Sequence, residues 1–197
     1  LKGFKYRTIG LAADLMQEMG MAVAQLPGGE IVPAMQRGVI DAFEFNNPTA
    51  DMRFGAQDVA KYYSMGSFHQ AQEFFEILFN KTTFNALPAD LKAILKYSAE
   101  AASTSSTATA HDNYSKDLQE LIVKHKVRVS RTTTDVYKGQ LAAWDKVTAK
   151  LEQEVDMFKK VNDSFKAWSK RVAFYHFTNE ADYKLAYEHV QKIKLPK

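Results

Sequence analysis

Three short stretches carry residue types that could hold or transform a small molecule. In Lys5-Tyr6-Arg7-Thr8-Ile9-Gly10 an arginine sits near the carboxyl end of a strand-like run that leads into a helical one, and ligands of open α/β sheets bind at that edge. A guanidinium there can grip a carboxylate through two parallel hydrogen bonds, a geometry that lysine cannot reproduce; the plainer alternative is a solvated surface arginine. From Val39 an apolar run passes through Phe43 into Glu44, Phe45, Asn46 and Asn47 before Pro48 stops regular pairing. The Glu44 carboxylate and the carbonyls that follow it suit a hard cation such as Ca²⁺ or Na⁺, while a helix cap at Asn46 or Asn47 with a paired surface Glu44 explains the same residues without any ligand. In Gly66-Ser67-Phe68-His69-Gln70 an aromatic ring and an amide stand together in a strand-like context. An apolar wall with one amide suits a small organic acid, against which Phe68 can simply be core and His69 a satisfied histidine.

Other chemistry finds little support. The turn Pro27-Gly28-Gly29-Glu30-Ile31 has neither the lysine of a phosphate loop nor the spaced glycines of a dinucleotide fingerprint. His69, His111, His125, His176 and His189 lack metal-ligand spacing, and no Gly-x-Ser-x-Gly elbow occurs. The absence of cysteine removes thiol catalysis, disulfides and cysteine-bound zinc together. An enzyme reading would need Glu44 and His69 as the acid and base of a small α/β hydrolase or lyase acting on a carboxylate. A third reading makes the aromatic stretch from Trp144 to Tyr175 the partner-binding face of a helical interaction protein.

The elements that must position these residues follow from composition and period. With 46% apolar and 12% aromatic residues over 197 positions, the chain can bury a substantial core. The net charge of +3 comes from interleaved basic and acidic residues and forms no nucleic-acid stripe. No apolar run approaches the length of a membrane span. Short runs alternate: strand over Phe4 to Ile9, helix over Leu11 to Gly20, strand over Met21 to Leu26, helix over Glu30 to Arg37, strand over Val39 to Phe45. This βαβαβ order predicts an α/β fold with a parallel or mixed sheet. Residues 46–61 read as polar and short-helical, and 62–80 as carrying two strand candidates around Gly66 to Gln72. From Thr82 the pattern turns helical, and the Ala/Ser/Thr-rich stretch Ser98 to Ala110 reads as helix because it lacks Gly and Pro. A short strand is expected over Val127 to Ser130, then a long helix capped by Thr134 or Asp135, then helices to the end. The expected organisation is an α/β core with hinge-crossing strands over 1–80, a helical segment and short strand over 81–130, and long C-terminal helices over 131–197.

Taken in succession, Lys5 to Gly10, Leu26-Pro27-Gly28-Gly29-Glu30-Ile31-Val32-Pro33-Ala34 and Arg37 to Phe45, with the later Phe84 to Leu95 and Tyr183 to Tyr187, resemble the solute-binding subunits of tripartite ATP-independent periplasmic (TRAP) transporters. The nearest branch is the DctP-like one labelled mannitol or chloroaromatic transport, which includes 2-oxo acid binders. The resemblance implies a lobe of a type II solute-binding protein that lies in the periplasm, captures a small organic carboxylate without breaking bonds, and hands it to separate membrane subunits. It implies Arg7 as the partner of the substrate carboxylate, with Phe45, Asn46, Phe68 and Gln70 around the ligand. It also implies Glu44, with Phe45 and Gln70, as the holder of a bridging Na⁺ or Ca²⁺. Phe68, His69 and Gln70 fall where relatives carry two Trp and a Glu. A homodimer through the C-terminal helices is compatible with it. Relatives are close to twice this length, so a signal peptide and much of a first lobe are expected upstream of Leu1.

Overall fold

The computed structural model describes residues 1–69 and 75–195. Strand β1 (Lys5–Arg7) is the centre of a three-stranded parallel sheet, flanked by β2 (Ala22–Ala24) and β3 (Ala42–Phe43) in the order β2-β1-β3. Its register sets Arg7 opposite Ala24 on one side and Phe43 on the other. The chain steps from β1 to β2 on one side and then crosses back over β1 to reach β3. The carboxyl end of β1 is therefore the point where strand order reverses, which in open α/β sheets opens a crevice for ligands.

Helix α1 (Leu11–Glu18) makes the first crossover and buries Ala12, Ala13, Leu15 and Met16. It starts at Gly10, whose φ of 59° and ψ of −146° suit glycine rather than a residue with a Cβ. Pro27 leads into a 3₁₀ turn over Gly28–Glu30 that runs directly into α2 (Ile31–Gln36). Ile31, Ala34 and Ile40 form the buried centre beside the sheet, with Leu26, Phe43, Phe45 and Phe54 packed against them. The third strand is shorter than its apolar run suggested, although Asp41 and Glu44 on either side of it still donate main-chain hydrogen bonds to Lys5 and Arg7.

Two short helices, α3 (Pro48–Arg53) and α4 (Ala56–Val59), lead to β4 (Tyr62–Met65), which pairs in parallel with β5 (Arg128–Arg131). Of the two strand candidates expected over 62–80, one is β4; its pairing ends at Met65, and residues 66–69 of the strand-like stretch are not strand. Gly66 turns the chain away with a φ of +86°. Gln70 lies outside the described residues. Between β4 and β5 run α5 (Lys81–Ala86) and the 35-residue α6 (Ala89–Val123). The Ser/Thr-rich stretch is helical, as expected. Ser103, Thr104, Thr107 and Thr109 each return a hydroxyl hydrogen bond to the carbonyl four residues earlier, at 2.8 to 3.2 Å, so these side chains do not compete for the helix donors.

Helix α7 (Thr134–Glu154) follows β5, capped in sequence position by Thr133 rather than by Thr134 or Asp135, and without a side-chain cap bond. It turns Gln140, Ala143, Val147 and Thr148 inward and packs along α1, where Lys146 pairs with Glu18 at 2.7 Å. Helices α8 (Asp156–Asn179) and α9 (Tyr183–Gln191) complete the chain. Among the described residues no helix is long and apolar enough to cross a membrane.

Ile31 is wholly buried at the centre of this packing. Ile31→Ala should cost about 3 kcal/mol of stability through lost burial and the cavity left behind, read as a lowered midpoint in urea unfolding.

Candidate functional site

Arg7 is 4% exposed at the last position of the central strand. Its Nε donates to the Leu26 carbonyl at 2.8 Å, just beyond β2, and its Nη1 donates to the Glu44 carbonyl at 2.8 Å, just beyond β3. Nη1 also pairs with Glu44 Oε1 at 3.3 Å. The cation thus bridges the ends of both neighbouring strands. Fully buried Thr8 donates its hydroxyl to the same Glu44 oxygen at 3.0 Å. Nε and Nη1 are occupied by protein oxygens, and Nη2 makes no hydrogen bond to a described residue. Tyr6, pointing the other way from the strand, has its phenol pKa pushed well up by burial and then by the Glu44 charge, with Arg7 opposing.

The segment after β3 is held from several sides. The Phe45 ring meets Phe54 edge-on at 4.8 Å and lies against Gly28, where a Cβ would come within 2.7 Å of it. Asn47 caps α3, accepting from the Ala50 N–H at 2.9 Å, and its amide donates to the Asn46 side-chain oxygen at 2.7 Å. The capping role foreseen for this pair falls to Asn47. The Asn46 N–H donates to Asp51 Oδ1 at 3.2 Å, and Tyr63 on β4 donates its hydroxyl to Asp51 Oδ2 at 2.8 Å. Burial raises the Asp51 carboxyl pKa, while the bonds from Tyr63 and Asn46 pull it down.

The third stretch is fixed to α7. Phe68 is half exposed and stacks at 4.7 Å on Tyr137, with its N–H donating to Gln140 Oε1 at 3.3 Å. Gln140 Nε2 donates to Ser67 Oγ at 2.8 Å. A cleft of about 930 Å³ gathers Glu44, Phe45, Asn46, Ser67 and His69 along its wall, together with Tyr6 and Tyr63. Arg7 and Phe68 do not line it. Arg7 pairs with Glu44, which does line the cleft, whereas Phe68 belongs to the packing on α7. Glu44 Oε1 and His69 Nδ1 are each engaged elsewhere, by Arg7 with Thr8 and by Ser67, which leaves the acid and base pair of the enzyme reading without support.

The donor set suits a hard cation only in part. Among the described residues no group of three or more His, Cys, Asp or Glu is arranged around one point. Glu44 and Phe45 both line the cleft, and a carboxylate with a main-chain carbonyl is oxygen chemistry of the kind Na⁺ and Ca²⁺ take. Thr8, Asp51, Tyr63 and Gln140 are site residues that sequence reasoning missed. Thr8 lay within the quoted motif, but the other three act through contacts that leave no local pattern.

Comparison with known proteins gives a consistent answer. The family model for bacterial extracellular solute-binding protein, family 7 (DctP), matches residues 1–157. A monocarboxylate 2-oxoacid-binding periplasmic protein of Nostoc sp. is 27% identical over 183 residues, 93% of this chain and 50% of its own length. A TRAP transporter solute-binding protein of Bordetella bronchiseptica, solved as a mixed-occupancy dimer with calcium and picolinate in one site, superposes with a TM-score of 0.82 at 22% identity. It covers 98% of this chain and 56% of its own. A TRAP periplasmic solute-binding protein of Pseudoalteromonas atlantica with bound sodium and pyruvate gives a TM-score of 0.74 at 23% identity, over 89% of this chain and 54% of its own. The chain therefore spans about half the length of the relatives it matches.

The contact between Gly28 and Phe45 yields a paired test. Gly28→Ala should cost about 1–2 kcal/mol because Phe45 must shift from its place against Phe54. Gly29→Ala, where a Cβ would meet nothing within 4 Å, should change stability by less than about 0.5 kcal/mol. Thermal unfolding of the two variants side by side reads the difference.

Proposed function

Because this chain belongs to the bacterial extracellular solute-binding proteins of family 7, we propose that it captures a small organic carboxylate, a 2-oxo or hydroxy acid, in the periplasm. The captured acid is delivered to the membrane subunits of a TRAP transporter, and no bond is made or broken. The observation that carries this reading is Arg7: a buried guanidinium at the sheet's switch point, with Nη2 not bonded to any described residue. Nη2 pairs with the ligand carboxylate, while the Leu26 and Glu44 oxygens hold the fork in orientation. Asn46 and Phe45 supply polar and apolar contacts from the segment after β3, while Phe68, stacked on Tyr137, stands beside the cleft rather than in its wall. Gln70, assigned to the ligand and the cation by resemblance, lies outside the described residues. The relatives named above carry 2-oxo acids, picolinate or pyruvate, all carboxylates that one arginine can recognise.

A bridging Na⁺ or Ca²⁺ would take the Glu44 carboxylate and the Phe45 carbonyl and supply positive charge toward the ligand. Glu44 is suited to this because its Oε1 is already oriented by Thr8 and Arg7. A second copy of the chain is the partner we assign to the exposed apolar face of α8, where Val161, Phe165 and Trp168 are 59%, 63% and 54% exposed.

Calorimetric titration with pyruvate tests the clamp. Arg7→Lys keeps the charge but cannot bridge both strand ends, and should weaken binding at least about 100-fold. Unchanged affinity in an Arg7→Lys chain that retains its circular dichroism removes Arg7 from the site. For the cation, chelator-treated protein should bind pyruvate more weakly in potassium buffer than after Na⁺ or Ca²⁺ is restored. Glu44→Gln should abolish that difference.

A further inference from the structure

The turn from Ser67 to His69 holds a chain of polar groups whose direction can be worked out from the one donor of certain identity. The Phe68 main-chain N–H donates to the Gln140 side-chain oxygen. This fixes the amide, so the atom facing Ser67 Oγ at 2.8 Å is the NH₂ donor. The His69 main-chain N–H points to the same hydroxyl oxygen at 3.4 Å. A hydroxyl has two acceptor lone pairs and one proton. With both lone pairs engaged, Ser67 has only its proton left to offer, and Ser67 Oγ is bonded to His69 Nδ1. Nδ1 must accept that proton, so the imidazole carries its own on Nε2. With Nδ1 accepting, the ring is the tautomer with a single N–H, carried on Nε2. Nε2 makes no hydrogen bond to a described residue, and His69 lines the cleft with Glu44, Phe45 and Asn46.

We propose that His69 is a specificity-determining ligand residue, a neutral imidazole locked by Gln140 and Ser67 so that its Nε2–H donates to an acceptor-only substituent of the bound acid. The chemistry selects a 2-oxo oxygen and rejects a 2-ammonium group, which would face the N–H with another donor. The assignment rests on the carboxylate-capture reading. Gln140, 4% exposed on α7, acts through Ser67 as the positioning residue. A buried amide satisfied at both ends holds its partners in one arrangement, because turning it over would leave two groups unpaired.

Nitrogen-15 spectra of the histidine-labelled chain read the tautomer without any ligand, with the His69 signals identified by their loss in His69→Phe. The wild-type ring should show the Nε2–H form, and Gln140→Met, which keeps the side-chain length, should give a mixture. A wild-type ring protonated on Nδ1, or a tautomer indifferent to Gln140→Met, overturns the relay. Calorimetry on the same samples should show pyruvate affinity falling about tenfold in His69→Phe, the loss of one buried hydrogen bond, with discrimination against L-alanine shrinking in parallel. Pyruvate binding that needs Arg7 but is unchanged in His69→Phe overturns this proposal alone. If no folded sample binds pyruvate, the carboxylate reading fails and the ligand role of His69 fails with it.

Discussion

A guanidinium buried to 4% exposure constrains everything around it. Removing a cation from water is expensive unless oxygens replace the lost hydration, and Arg7 finds them on the segments that leave β2 and β3, at Leu26 and Glu44. These oxygens converge only if β1 is central, both neighbours run parallel to it and both are in register at Arg7. A slip of either strand by one residue would exchange a carbonyl for a side chain and turn inward faces outward. The crossover helices, the 3₁₀ turn at Gly28 and the packing of Phe45 on Phe54 all act to keep those two ends in place.

Much of this half of the molecule was legible in the sequence because its signals are local. Glycines at the ends of α1 and α2 mark the boundaries, the Pro27-Gly28-Gly29 turn sits where the second helix begins, and Arg7 is a strand-end arginine in both readings. The long α6 was also legible, since absence of Gly and Pro across Ser98 to Ala110 is itself a local fact. What could not be read depends on residues far apart in sequence. Ser67 and Phe68 meet Gln140 across more than seventy positions, and β4 meets β5 across the whole of α5 and α6. The extension expected from Gly66 to His69 fails for a local reason: aromatic residues suggested a strand, but a glycine at φ +86° ends β4 before it. Any Cβ there would also press on the Tyr137 hydroxyl.

The cleft walls are attached to the rest of the fold by buried polar groups rather than by apolar packing alone. Asp51 ties the Asn46 backbone to Tyr63 on β4, and Gln140 ties the Ser67 turn to α7. Buried carboxylates and amides are stabilising only when satisfied, so each fixes a separation that a leucine in its place would leave adjustable. The cost of burying them is consistent with a site that needs geometry more than it needs stability.

Under the proposed capture of an organic acid, recognition divides between two kinds of group. A charge such as Arg7 attracts any carboxylate strongly and distinguishes one acid from another poorly, because its partner is the group all of them share. Selection among acids falls to neutral groups of fixed direction, for which an error in the partner's donor or acceptor character leaves a buried group unpaired. A hydroxyl or amide free to rotate would adapt to either and select nothing. Neutral groups therefore discriminate only where a second set of buried groups removes their freedom, which is the role proposed for Gln140 and Ser67 toward His69, while Leu26 and Glu44 anchor the arginine.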